Sequence, residues 1–99
     1  MNEIVDQIIA WATETFPHAT PNTNTLKLIE EIHELFARNE RTPITEAVDA
    51  IDPEELADVG ICLVCLAHSL GRNLVQEMTD KLAINKTRTY DSQDVSRHV

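Results

Sequence analysis

Two groups of acidic residues have the spacing that metal or phosphate chemistry needs. Glu30, Glu31 and Glu34 stand together in EEIHE, and Glu55 and Asp58 stand in ELAD. Spacings of three and four bring side chains onto one face of a helix. Taken alone, each group has an ordinary explanation: Glu55 can complete a capping box, and the Glu30 cluster can face water. The second pair, however, opens a stretch from Val59 to Ala67 in which no residue is charged. A carboxylate entering a buried helix needs a partner, because an unpaired buried charge is strongly destabilising. Two helices that each bring acids at helical spacing can pack antiparallel and build a carboxylate cage in a bundle core. All-oxygen donors favour Mg²⁺, with Mn²⁺ as a second choice, over zinc or copper.

The helix that must position Glu55 and Asp58 is written in DPEELADVGICLVCLAHSL, Asp52 to Leu70. Asp52 is an N-cap, Pro53 occupies the first helical position, and Glu55 follows three residues after the cap. Gly71 supplies a C-terminal stop. At ~100° per residue this helix is apolar on every side, so it is expected to be buried all round. A chain of 99 residues has little with which to enclose it. We therefore expect a homo-oligomer, dimer or tetramer, whose subunits complete one another's core.

The other acids belong to a second helix, expected from Leu26 to about Asn39, with Asn24 or Thr25 as its cap and Leu28, Ile29, Ile32, Leu35 and Phe36 as its apolar face. Before it, Phe16 to Thr25 reads as a Pro-, Asn- and Thr-rich loop containing His18. A first helix runs from a cap at Asn2 to about Thr15, with Ile4, Val5, Ile8, Ile9 and Ala12 as its stripe. Trp11 and Phe16, at the end of that helix, serve either as core or as an aromatic wall for a base. After a break at Glu40 to Ile44, a short helix is expected over Thr45 to Ile51. Asn73, with Gln76 three later, caps a last helix whose buried side is Leu74, Met78 and Leu82. Lys81, Asn85 and Arg88 lie along the end of that helix at spacings of four and three, where pairing with the helix C-terminus is the plain explanation. Residues 1–90 read as one all-α domain and 91–99 as a polar, disordered tail.

Composition narrows the function classes. The formal charge of −9, from 17 acids against 8 Lys and Arg, opposes non-specific nucleic-acid binding. The uncharged run is far shorter than a membrane span of roughly 20 residues, and Ile4 to Ala12, interrupted by Asp6 and Gln7, is no signal peptide. We expect a cytoplasmic chain that engages neither nucleic acid nor membrane. Cys62 and Cys65 form a CxxC inside the apolar helix with no second Cys pair, which favours two small core residues over zinc or redox chemistry. HEL at His33 to Leu35 is not HExxH, since Ala37 stands where the second His belongs.

The pattern as a whole resembles the MazG-like all-α nucleoside triphosphate pyrophosphohydrolases. EEIHE is similar to their EExxE motif, ELAD to their ExxD motif, and KLAINKTR, Lys81 to Arg88, to their closing Lys–Asn–Arg segment. The likeness covers roughly Trp11 to Tyr90. WATETF and NKTRTY look closest to the dATP/dGTP pyrophosphohydrolase branch, often encoded by phages. The resemblance implies a four-helix bundle completed by oligomerisation. It also implies hydrolysis of a nucleoside triphosphate between the α and β phosphates, giving a monophosphate and pyrophosphate, with a purine nucleotide (dGTP, GTP or dATP) favoured. By position, Glu31, Glu34, Glu55 and Asp58 would be Mg²⁺ ligands, and Glu30 a further ligand or the base that deprotonates water. Lys81, Asn85 and Arg88 would hold the phosphates. Trp11, Phe16 and Asn24, and less directly Tyr90, are candidates for the base by position alone. The competing reading is a non-catalytic helical oligomerisation or adaptor module that keeps the bundle without turnover.

Overall fold

The computed structural model describes residues 3–36 and 51–89. Among these are four helices and no strand: α1, Glu3–Thr15; α2, Pro21–Phe36; α3, Pro53–Ser69; and α4, Leu74–Lys86. The all-α expectation is met. The expected cap at Asn2, the short helix expected over Thr45 to Ile51 apart from its non-helical last residue, the end of α2 beyond Phe36, the tail over 91–99 and Tyr90 all lie outside the described residues.

Local chemistry sets most of the helix ends. Asp52 accepts a hydrogen bond from the Glu54 backbone N–H at 2.7 Å, and Pro53 begins α3 where a missing N–H costs nothing. At its other end the Gly71 N–H donates to the His68 carbonyl and the Arg72 N–H to the Ala67 carbonyl, both at 2.9 Å. This is a Schellman closure, and it needs the left-handed φ of +70° that Gly71 adopts. Asn73 then caps α4 by accepting from the Gln76 N–H at 3.0 Å.

The start of α2 departs from expectation. Pro21 to Thr25 is helical, so Asn24 lies inside the helix and not at its cap. The cap is Thr20: its hydroxyl accepts from the Thr23 N–H at 3.2 Å, and the Thr23 hydroxyl accepts from the Thr20 N–H at 2.8 Å. With Pro21 at the first helical position, this reciprocal pair outweighs the low helix propensity of Asn and Thr.

α2 and α3 form the principal packing pair, and α1 lies against α3 through half-buried Val5, Ile8, Ile9 and Ala12. The two long helices run antiparallel: Asn24 near the start of α2 donates to the Cys65 carbonyl near the end of α3, at 3.3 Å. Seven residues further along α2, Glu31 shares a cleft with Asp58, seven residues back along α3. The same register sets Glu34 level with Glu55.

Three packing expectations are corrected. α3 is not enclosed: Val64 and Ala67 are buried, whereas Leu56, Leu63 and Leu70 are exposed. On α2 the residues turned inward are Glu31 and Leu35, while Leu26, Ile29 and Ile32 of the apolar side lie open. α4 leaves α3 through a turn of 103°, and Met78 and Leu82, expected on its buried side, are exposed. The reason is common to all three. The described helices cover one side of α3 only, which leaves the remaining apolar faces open among the described residues. No single described helix is long and apolar enough to cross a membrane.

Candidate active-site cleft

Glu31 is the centre of the site. It is the most buried residue described, at 6% exposure, although it is charged. Its position on the inward face of α2, between Asn24 and Leu35, leaves the carboxylate little access to water. One oxygen, Oε1, lies 3.0 Å from the Lys27 Nζ, which is also 3.6 Å from Glu30 Oε1. The other, Oε2, is buried and accepts no hydrogen bond from the described residues. A half-satisfied buried carboxylate is costly, and in native structures such a group commonly marks a site.

The cleft into which Glu31 faces has a volume of about 700 Å³, within the range of small-molecule sites. Asp58 and Cys62 of α3 line one wall, Lys27 and Asn24 of α2 another. Trp11 and Phe16 close the apolar end, their rings packed edge to face with centroids 5.5 Å apart and an interplanar angle of 89°. An exposed His18 lies at the rim.

Electrostatics follow from this crowding. The Glu34 carboxyl titrates above its ordinary value, chiefly because of the negative charge of Glu31 one turn away, with partial desolvation and Glu30 adding to it. Lys27 is held above its ordinary value by its hydrogen bond to Glu31. Burial pushes the Cys62 thiol up, helped by the nearby Glu31 charge, and burial likewise raises Cys65. Both cysteines are free, and thiols shifted in this direction are poor thiolates at neutral pH.

Of the residues singled out from the sequence, Glu31, Asp58, Trp11, Phe16 and Asn24 line this one cleft. Glu30, Glu34 and Glu55 do not line it; Glu30 and Glu34 are exposed, and Glu55 is half-buried. Lys81, Asn85 and Arg88 are on α4 or just beyond it and do not line the cleft; Asn85 is half-buried and the two cations are exposed. Among the described residues no three His, Cys, Asp or Glu side chains stand close enough together to hold a metal ion as they lie. Lys27 is absent from the candidates drawn from the sequence. Its signal was there to read, since a Lys three and four residues before Glu30 and Glu31 shares their helical face.

Fold and site together define a small all-α protein with an acid-centred, aromatic-walled ligand cleft. The chain is similar to the dATP/dGTP diphosphohydrolase of Cyanophage S-2L, with 35% identity over 99 residues that cover 98% of this chain and 86% of that relative. It is also similar to the dATP/dGTP diphosphohydrolase of Salmonella phage PMBT28, with 31% identity over 91 residues. That match covers 92% of this chain but 28% of the relative's length. No protein-family model matches the chain, and no solved structure does. The chain belongs to the dATP/dGTP diphosphohydrolase family.

Proposed function

We propose that this chain is a Mg²⁺-dependent nucleoside triphosphate pyrophosphohydrolase of the MazG-like type. Its reaction splits a purine nucleotide, dATP or dGTP by analogy with the named relatives, between the α and β phosphates into a monophosphate and pyrophosphate. The observation that carries the reading is the buried Glu31, which lines a cleft shared with Asp58 and whose Oε2 has no hydrogen-bond partner among the described residues.

As they lie the described acids do not yet form a cation site, but their all-oxygen donor chemistry suits a hard divalent cation. Glu31 offers an unused oxygen donor behind a wall of low dielectric, and Asp58 brings a second carboxylate to the same space. Glu34 and Glu55, level with each other across the helix pair, are the further ligands. Glu34 is exposed and can rotate about its own side-chain bonds. A divalent cation held there would supply an acidified water and neutralise charge on the phosphate oxygens.

The chain's own residues divide the remaining tasks. Glu30, beside the ligand set on α2, is a further ligand or accepts the proton of the attacking water. Lys81 and Asn85 of α4, with Arg88 just beyond it, hold the phosphates. Trp11 and Phe16 give the base an aromatic wall, and their apolar end of the cleft shields it from water. The open faces of α2 and α3 are the contacts of a homo-oligomer. Residues 1–90 form the catalytic domain.

The direct test is to incubate the protein and Mg²⁺ with each common nucleotide and separate the products. Pyrophosphate and a monophosphate, formed fastest from the purine deoxynucleotides, are the expected products. Release of orthophosphate, or no turnover, would overturn the reading and favour a non-catalytic module.

A further inference from the structure

A buried carboxylate requires a cation, and the one that meets Glu31 is built into the chain. Lys27 Nζ is 3.0 Å from Glu31 Oε1 and 3.6 Å from Glu30 Oε1. One ammonium therefore faces three acids of α2, counting Glu34, whose charge also acts on it. It is not fixed in place by packing. The Lys27 side chain is 54% exposed, against 8% for that of Glu31. The acid is anchored and the cation is mobile by construction, since a four-carbon stem with rotatable donors carries the charge. Lys27 also lines the cleft whose far wall holds Asp58.

We propose that Lys27 is a resident counter-cation of the cleft: it competes with a divalent cation for Glu31 and, once displaced, turns to the phosphates of the bound nucleotide. The inference rests on the reading that these acids take a divalent cation. Its basis is the single Glu31 carboxylate that both cations need. A divalent ion at Glu31 and an ammonium 3 Å from the same group repel each other strongly in a partly desolvated site. The ammonium must then leave, and its three N–H donors need new acceptors. The rest of the lining is acidic, neutral polar or apolar, with Asp58, Thr15, Thr23 and Asn24 among it, and the ligand that brings both several acceptors and negative charge of its own is a polyphosphate. Metal and nucleotide thereby help each other to bind, and by linkage each raises the other's affinity by the same factor.

The consequence is opposite in sign to that of removing a ligand residue. Losing Lys27 removes a competitor, so the nucleotide-free protein should bind a divalent cation more tightly, while the help that nucleotide gives to metal binding should shrink.

The experiment is a Mn²⁺ titration of the full chain, with free Mn²⁺ counted by electron paramagnetic resonance, with and without a non-hydrolysable deoxynucleoside triphosphate. Wild type is compared with Lys27→Met, Lys27→Gln and Lys27→Arg, each first shown to be helical by circular dichroism. Two neutral variants are used so that a folding failure in one leaves the other. The expected result is a several-fold tighter Mn²⁺ affinity for the neutral variants without nucleotide, a reduced enhancement by nucleotide, and near-wild-type behaviour for Lys27→Arg. Equal or weaker Mn²⁺ binding by the neutral variants, where wild type binds Mn²⁺, overturns the role of Lys27 and leaves the metal reading standing. Absence of Mn²⁺ binding by wild type itself overturns both.

Discussion

The side-chain amide of Asn24 donates to the main-chain carbonyl of Cys65 across the α2–α3 contact, at 3.3 Å. This bond joins the first turns of α2 to the last turns of α3 and so sets the register that brings Glu31 to Asp58. Asn24 was expected to touch substrate; it lines the cleft, but its N–H donor is committed to the partner helix. Asn24→Ala should therefore act on stability first, by about 0.5–1.5 kcal/mol, the usual net worth of such a bond. Chemical denaturation checks the loss. A fall in activity should accompany it, because a slip of the helices moves the two acids apart.

Trp11 is the single tryptophan of the chain and is half exposed, at 51%, with Phe16 set edge-on against it. An edge-to-face pair leaves a ring face available for a third aromatic group. Nucleotide binding should therefore change tryptophan emission, and a titration with a non-hydrolysable triphosphate reads it directly. Trp11→Ala should raise KM several-fold with a smaller effect on kcat, since stacking on the base is made equally in substrate and transition state.

Asp58 lies on the opposite wall from Glu31 and is exposed. Its replacement by Asn alters charge and little else. Asp58→Asn, and likewise Glu34→Gln, should abolish nucleotide hydrolysis while the helical circular dichroism survives. Full activity in either variant would remove the metal-cage proposal.

Much of this arrangement can be read from sequence where the deciding interactions are local. Asp52 and Pro53, Gly71, and Asn73 with Gln76 each meet their partners within a few residues, and all mark helix ends where expected. Thr20 gives no such signal, because Asn and Thr are weak helix formers and the reciprocal Thr20–Thr23 cap is not the Glu-containing form that stands out. The face of α2 was harder. Periodicity shows that Ile29 and Ile32 share an apolar side but not what that side meets. Here Glu31 turns inward in their place, with Lys27 offsetting part of its charge. Met78 and Leu82 illustrate the same limit on α4, since an apolar stripe reads alike whether its own chain or another subunit covers it.

The raised pKa of Glu34 has a definite sign in stability. Its folded form holds a proton more tightly than the unfolded chain, for which 4.5 is the reference, because ionised Glu34 is repelled by Glu31. The metal-free protein should therefore gain stability from Glu34 as pH falls through the raised value toward 4.5, and lose that gain as pH rises again. Glu34→Gln carries no such charge. Measured by urea denaturation without metal, the variant should be the more stable of the two above this window, and the gap should close below it. Salt should shrink the difference, because Glu34 is exposed.

Leu56, Leu63 and Leu70 recur every seven residues and form one exposed stripe along α3, and Leu26, Ile29 and Ile32 form another on α2. Scattered apolar residues on a surface need no explanation, but two continuous stripes on the principal helix pair do. The described helices leave both uncovered, and water is an unfavourable neighbour for six large aliphatic side chains, at about 25 cal/mol for each Å² left exposed. A second copy of the same helix pair offers a matching surface and, in closed symmetry, leaves none of it open. The chain should therefore run as a dimer or tetramer at micromolar concentration by light scattering coupled to size exclusion. Leu63→Lys should shift it toward monomer, because one charge per subunit at the middle of the stripe cannot be desolvated without a partner. If wild type has a monomeric mass, the stripes serve some other purpose. If Leu63→Lys leaves a multimer intact, the interface lies elsewhere on the chain.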